Sequence, residues 1–212
     1  MEKQEMDNVL DFYYEVAQLK EKLRQGWLYW NVSGTRIESI AEHIYGAQML
    51  AVAIYSECNV SVDILKVMTM LALHETEEVK IGDITPIDNV PEKDKLFLGD
   101  KAVNEIFKNL KQSKVFVDII TEFNKGKSPE AKFAFLCDKL DCILQIKKYS
   151  DEGKCFIANA ATKVLNDNRV KAIIEDGATT VYDIFAANDR KMYVGTIIEE
   201  LFDYVKDYEI KK

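Results

Sequence analysis

An all-α fold is what this sequence predicts, and three observations carry the prediction. Apolar residues recur at spacings of three and four through most of the chain. Only three prolines and nine glycines interrupt 212 residues, too few breaks for many short strands. No repeat, low-complexity stretch or interdomain linker divides the sequence. Residues 1–212 therefore read as a single helical bundle, since a chain of this length buries roughly 70% of its unfolded surface around one core.

The elements follow in order. Residues 7–24 place Val9, Leu10, Phe12, Tyr13, Val16, Leu19 and Leu23 on one helical face, with Lys and Glu between them. Both tryptophans, Trp27 and Trp30, fall between Gly26 and Gly34 in what reads as a loop packed by its aromatics. Ser39 leads into a long helix with the stripe Ile40, Ile44, Ala47, Leu50, Ala51 and Ile54. His43 on that helix turns toward the packed face. Ser61 is an N-cap for a helix from Val62 to about Val79, whose interior, 64–73, is apolar on nearly all sides and marks a central helix. Gly82 ends it, and Asp83-Ile84-Thr85-Pro86 makes a turn that Thr85 fixes.

Helices over roughly 93–110 and 114–124 read as core elements without chemistry. Ser128-Pro129-Glu130 is an N-cap followed by proline at the first helical position, and the helix it starts runs to about Tyr149. Phe133, Leu136, Leu140, Ile143 and Leu144 form its apolar face. Asp138 and Asp141 share a separate strip free of lysine, where a carboxylate is either paired in the interior or a ligand. Residues 151–212 read as two or three further helices that complete the bundle.

A formal charge of −8, from 28 basic and 36 acidic residues, excludes a general binder of nucleic-acid polymers, because such binding neutralises phosphates with Lys and Arg. Arginine occurs only at 24, 36, 169 and 190, so each is a candidate for a specific task, a surface ion pair being the ordinary use of three of the four. Cysteines 58, 137, 142 and 155 lack Cys-x-x-Cys spacing and read as reduced thiols. The N-terminus has no signal-type apolar region and no apolar run reaches about 18 residues, so the expectation is a cytoplasmic protein without a membrane partner.

Chemistry is concentrated in His74-Glu75-Thr76-Glu77-Glu78. His74 is one of two histidines, and the other, His43, also lies on an apolar helix. On a continuous helix Glu78 would share the face of His74, and Glu75 would lie about 100° round from it, near enough for both to reach one ion. Three acids in four residues read equally well as a solvated helix end. A divalent ion that polarises a phosphoryl oxygen needs imidazoles and carboxylates with positions left open, and His43, His74, an acid beside it and a group from the 129–149 helix would supply them.

Four motifs occur in order: Arg36-x-Glu38-Ser39-x-Ala41-Glu42-His43; His74-Glu75-x-x-Glu78-x-x-x-Gly82-Asp83-x-Thr85-Pro86; Pro129-Glu130-Ala131-Lys132-Phe133; and Asp138-Lys139-Leu140-Asp141. Over about residues 10–150 they resemble the HD-domain metal-dependent phosphohydrolases, most closely the 5'-deoxynucleotidase branch. The resemblance implies one divalent ion (Mn, Co, Mg, Zn or Fe) held by His43, His74, Glu75 and Asp138, with Glu75 standing where the family has aspartate. It implies Glu78 and Asp83 as the groups that orient and deprotonate the attacking water, and Arg36 as the clamp on the substrate phosphate. Ile37 stands where that branch can carry a tryptophan. Thr76 and Glu77 are left as helix surface. The implied protein is a phosphomonoesterase acting on a nucleoside 5'-monophosphate, and a homodimer. Other phosphate esters, such as cyclic nucleotides or guanosine polyphosphates, keep the same site, and a nucleotide-binding regulatory module without turnover is the non-enzymatic alternative.

Overall fold

The computed structural model describes residues 1–211, and among these every regular element is helical apart from one isolated bridge between Leu23 and Ser39. The helix α1, Lys3–Val16, starts earlier than its apolar spacing suggests, because Glu2 and Glu5 form a reciprocal cap. It also stops earlier. A 3-10 turn, Ala17–Lys20, follows, and the backbone of 22–24 then pairs with the entry of the next long helix through Arg24 N to Glu38 O (3.0 Å) and Ile40 N to Lys22 O (2.8 Å). The expected aromatic loop holds a short helix, α2, Gln25–Tyr29. Trp27 and Trp30 are buried and pack against Phe185, so both serve the core.

The long helix α3, Ile40–Glu57, begins at Ser39, whose hydroxyl accepts from Glu42 N while the Glu42 carboxylate accepts from Ser39 N. Asp63 rather than Ser61 caps α4, Ile64–Leu73, accepting from Leu65 N and Lys66 N. The single helix expected from 62 to 79 is broken. Leu73 ends α4, and α5 is one turn, Glu78–Ile81. Side chains cause the break: the Thr76 hydroxyl donates to Leu73 O (2.7 Å) and His74 Nδ1 lies 2.8 Å from Leu71 O, taking carbonyls that would otherwise serve the helix ladder. Gly82, at φ +76°, then closes α5 in a conformation that a side chain would strain.

The helices α6, Glu92–Phe107, and α7, Ser113–Lys125, form a pair with a small core of Val103, Ile106, Phe107 and Ile120, against which Phe12 and Val16 of α1 pack. The helix α8, Pro129–Asp151, starts at Ser128 as its N-cap. It is the axis of the molecule, packed on α3, α4, α7 and the later helix Val181–Tyr193. Its Ala131, Ala134, Cys137, Leu140, Ile143 and Ile146 are fully buried. Among the described residues the C-terminal part holds four α-helices where two or three were expected: α9, Thr162–Leu165; α10, Asn168–Glu175; α11, Val181–Tyr193; and α12, Glu199–Tyr204. Asp167 and Thr180 cap α10 and α11, restarting the helix where the apolar spacing runs on. None of these helices is long and apolar enough to cross a membrane.

Candidate metal centre and active site

Three helices bring their functional side chains to one buried point. The capped start of α3 places His43 one turn in, fully buried; the end of α4 supplies His74 and Glu75; the middle of α8 supplies Asp138. One donor atom from each of these four lies within 4.8 Å of the others. Asp138 Oδ1 is 2.9 Å from His43 Nε2 and 3.5 Å from His74 Nε2, and Glu75 Oε1 is 3.9 and 3.7 Å from the same nitrogens.

The donor set fits a divalent cation. His74 Nδ1 is committed to Leu71 O, and its Nε2 is buried without a hydrogen-bond partner, aimed at Asp138 and Glu75. A buried nitrogen lone pair facing two carboxylates is what a cation completes, and two imidazoles with two carboxylates suit a borderline divalent ion.

Charges from α3, the end of α4 and α8 surround the point. Burial and Arg24 press His43 down, but the hydrogen bonds to Asp138 and Asp141 outweigh them and hold the imidazole up at about 9. Burial raises Glu75, yet His74 and Arg24 bring it down to about 2. Burial likewise raises Asp138, while Lys139 (Nζ to Oδ2, 2.9 Å) and the two histidines hold it well below the usual carboxylate range. Glu78 goes the other way: burial, then the Glu75 and Asp83 carboxylates, push it up to about 11, and its Oε2 has no partner.

Glu78 therefore lies beside the ligand set on a separate one-turn helix, not one turn above His74 on a continuous one. Lys22 grips that helix through the carbonyls of Glu78 (2.8 Å) and Val79 (2.6 Å). Asp83 follows Gly82, and its Oδ2 accepts from Gln25 N at 2.7 Å. Thr85 and Asp88 cap one another in the following 3-10 turn. Two residues set down as helix surface are not: Thr76 is 1% exposed and Glu77 8%, because the broken helix folds the 74–77 turn inward toward Gly99 of α6.

Arg36 stands apart from this cluster. Its side chain is 82% exposed, pairs with Glu42, and lines an open cavity of about 610 Å³ with Lys20, Thr35, Ile37 and Tyr45. Arg24 instead reaches the ligands. Its Nη1 is 3.1 Å from Glu75 Oε1, its Nη2 is 3.2 Å from Cys142 Sγ, and its side chain is 12% exposed. The other arginines make surface pairs, Arg169 with Asp167 and Arg190 with Glu199 and Asp203. Asp141, left open between pairing and ligation, lies against His43 Nδ1 at 2.8 Å.

A family model described as HD domain matches residues 16–181. The chain belongs to the HD-domain family. Curated relatives named 5'-deoxynucleotidase HDDC2 share 34% identity over 152 residues in Danio rerio, spanning 70% of this chain and 74% of the relative, and 32% over 146 residues in Homo sapiens, spanning 68% and 69%. The 5'-deoxynucleotidase hdd1 of Schizosaccharomyces pombe is 29% identical over 180 residues, 80% of this chain and 88% of that one. Among solved structures, a protein from Pyrococcus horikoshii OT3 superposes at a TM-score of 0.64 with 24% identity, covering 93% of this chain and 96% of the other. A "predicted metal-dependent phosphohydrolase" from Magnetospirillum magnetotacticum MS-1 superposes at 0.68 with 22% identity, covering 97% and 93%. At those identities the likeness is one of fold.

Membership in the HD-domain family accords with the cluster that α3, α4 and α8 assemble. The sequence marks Arg24 only as one of four candidate arginines and gives it no role. The available signal was its place at the entry of the tryptophan-bearing segment in a chain with four arginines.

Proposed function

We propose that this HD-domain protein is a metal-dependent phosphohydrolase that converts a deoxynucleoside 5'-monophosphate to the nucleoside and phosphate. The observation that carries the reading is the buried cluster of His43, His74, Glu75 and Asp138, in which His74 Nε2 lacks a partner, beside the Glu78 carboxyl, whose Oε2 also lacks one. Curated relatives named as 5'-deoxynucleotidases supply the substrate class.

When bound, one divalent ion such as Mn, Co, Mg, Zn or Fe supplies Lewis acidity for a phosphoryl oxygen and lowers the pKa of a water. The four ligands orient and hold it. Glu78 takes the proton of the attacking water; in the free site its carboxyl keeps its own proton because burial, then the Glu75 and Asp83 carboxylates beside it, disfavour the charged form. Asp83, tied to Gln25 N, fixes the other side of that water. Attack on phosphorus in line with the 5'-oxygen breaks the P–O5' bond, and the leaving 5'-oxygen receives the proton that Glu78 took from the water.

The phosphate clamp that the family resemblance places at Arg36 fits Arg24 better on this geometry, because its guanidinium is already fixed within reach of the ligand carboxylates while that of Arg36 lies in solvent. A cytoplasmic homodimer is part of the reading. The exposed apolar residues Tyr45, Met49 and Val52 on one face of α3 support the second copy.

The test is metal analysis of the purified protein, followed by phosphate release from deoxy- and ribonucleoside monophosphates, cyclic nucleotides and guanosine polyphosphates with Mn²⁺, Co²⁺, Mg²⁺ and Zn²⁺. Release from 5'-deoxymonophosphates above the others is expected. Bound metal without release from any of them would sink the enzymatic reading in favour of a regulatory module.

A further inference from the structure

We propose that Asp141 is a positioning residue that orients His43 toward the metal, and that Gly46 gives it the room to do so. The inference rests on the metal centre described under the proposed function and extends it to two residues outside the ligand set.

The two nitrogens of His43 face opposite ways. Nε2 enters the ligand cluster, 2.9 Å from Asp138 Oδ1, and Nδ1 is 2.8 Å from Asp141 Oδ2. The ring is fully buried. Asp138 and Asp141 are three residues apart on α8 and meet the ring from its two sides, a spacing that puts them on one face of the helix. With Nδ1–H donated to Asp141, the Nε2 lone pair is the one left for a cation, and a carboxylate on the far nitrogen raises the basicity of the near one.

Gly46 sits three residues after His43 on the same face of α3. Its backbone is helical and it is not among the positive-φ glycines, so local conformation does not require glycine there. Alanine would be the better helix former. What excludes a side chain is the carboxylate: a Cβ at position 46 would lie 2.3 Å from Asp141 Oδ1, 3.0 Å from its Cγ and 3.2 Å from Oδ2. The acid is pressed into the gap that the missing Cβ leaves, and that approach brings it onto His43. Asp141 belongs also to a second group of close donors with Glu38 and His43, which makes a ligand role for it the competing assignment.

Mn²⁺ titration calorimetry on the full chain after chelator treatment tests the proposal, with thermal unfolding and helical circular dichroism on each variant. Asp141→Ala weakens Mn²⁺ binding about 10- to 100-fold, the usual consequence of losing such a partner. Asp141→Asn, whose amide oxygen still accepts from Nδ1–H, loses less. Gly46→Ala loses as much as Asp141→Ala, and adds nothing in the Asp141→Ala background.

Wild-type affinity in Asp141→Ala overturns the proposal, as does a Gly46→Ala loss that persists undiminished in the double variant. Two ions bound by the wild type and one by Asp141→Ala would make Asp141 a ligand and overturn it as well. Should the variants fail to fold, the long-range ¹H–¹⁵N spectrum of the Zn²⁺-loaded wild type decides: a proton on His43 Nδ1 supports the assignment and a proton on Nε2 ends it. Failure of the nucleotidase reading is separate, since that is a protein that binds Mn²⁺ and releases no phosphate.

Discussion

Glu77 and Asp88 are both acids held between helices, and they end on opposite sides of the ordinary carboxylate range. Burial and the Glu75 charge push Glu77 up to about 7, and its Oε2 has no partner. Burial pushes Asp88 up as well, but hydrogen bonds from Lys163, Tyr29 and Thr85 outweigh it and hold the carboxyl at about 2. The protein surrounds Asp88 with donors: Tyr29 Oη (2.7 Å) and Lys163 Nζ (2.9 Å) on one oxygen, Thr85 N and Oγ1 (2.9 Å each) on the other. It offers Glu77, Glu78 and His74 Nε2 nothing comparable. One region is complete as folded, and the other leaves buried polar atoms without a partner, a pattern common where function and not stability has set the residues.

The largest test of that contrast is to remove a ligand. His74→Ala or Asp138→Ala lowers nucleotide hydrolysis at least ~10³-fold and strips the bound metal, read by phosphate release and elemental analysis. A variant that kept both metal and activity would dissolve the distinction. Glu78→Gln should separate catalysis from binding. It costs about 10²- to 10⁴-fold in kcat, leaves the metal content unchanged, and does not lower the melting temperature, since an amide carries no charge to bury.

Arg24→Ala against Arg36→Ala locates the phosphate clamp. Loss of a charge-assisted contact of ~1.5–3 kcal/mol corresponds to a fall of roughly 10- to 100-fold in kcat/KM for Arg24→Ala. Arg36→Ala, at an exposed ion pair, changes it less than about threefold. The reverse order would return the clamp to the surface cavity.

The smallest effects are on stability and carry opposite signs. Asp88 is depressed in the folded protein, so its contribution of up to ~2 kcal/mol is present above pH 3.8 and disappears as pH falls toward 2; Asp88→Asn removes it at neutral pH without touching activity. Glu77 is raised, so in metal-free protein stability falls as pH rises from 4.5 to about 7 and is then constant. Glu77→Gln flattens that slope and stabilises the metal-free protein above pH 7 by up to ~3 kcal/mol. Urea unfolding across pH checks both.

Much of this was legible in the residues. The helical class, the cap at Ser39 and the start of α8 at Ser128-Pro129 are local signals, whereas the full set of four residues that the structure brings together is named only through the family resemblance of the motifs. What escaped was set by side chains acting over distance. The break after Leu73 depends on Thr76 and His74 taking carbonyls, which no apolar spacing records. Arg24 reaches Glu75 only because the Leu23–Ser39 bridge folds 22–24 onto the start of α3. Glu77 is inside because the broken helix turns toward α6.

That break between α4 and α5 has an evolutionary side. His74 and Glu75 close one helix while Glu78 opens another, and Lys22 anchors the second from an N-terminal segment that carries none of the ligands. A lineage could therefore retune or retire the acid by changing Lys22, whose contacts are with the carbonyls of Glu78 and Val79 and not with the ion's cradle. Descendants that still load metal but have traded turnover for sensing would be one mutational neighbourhood away.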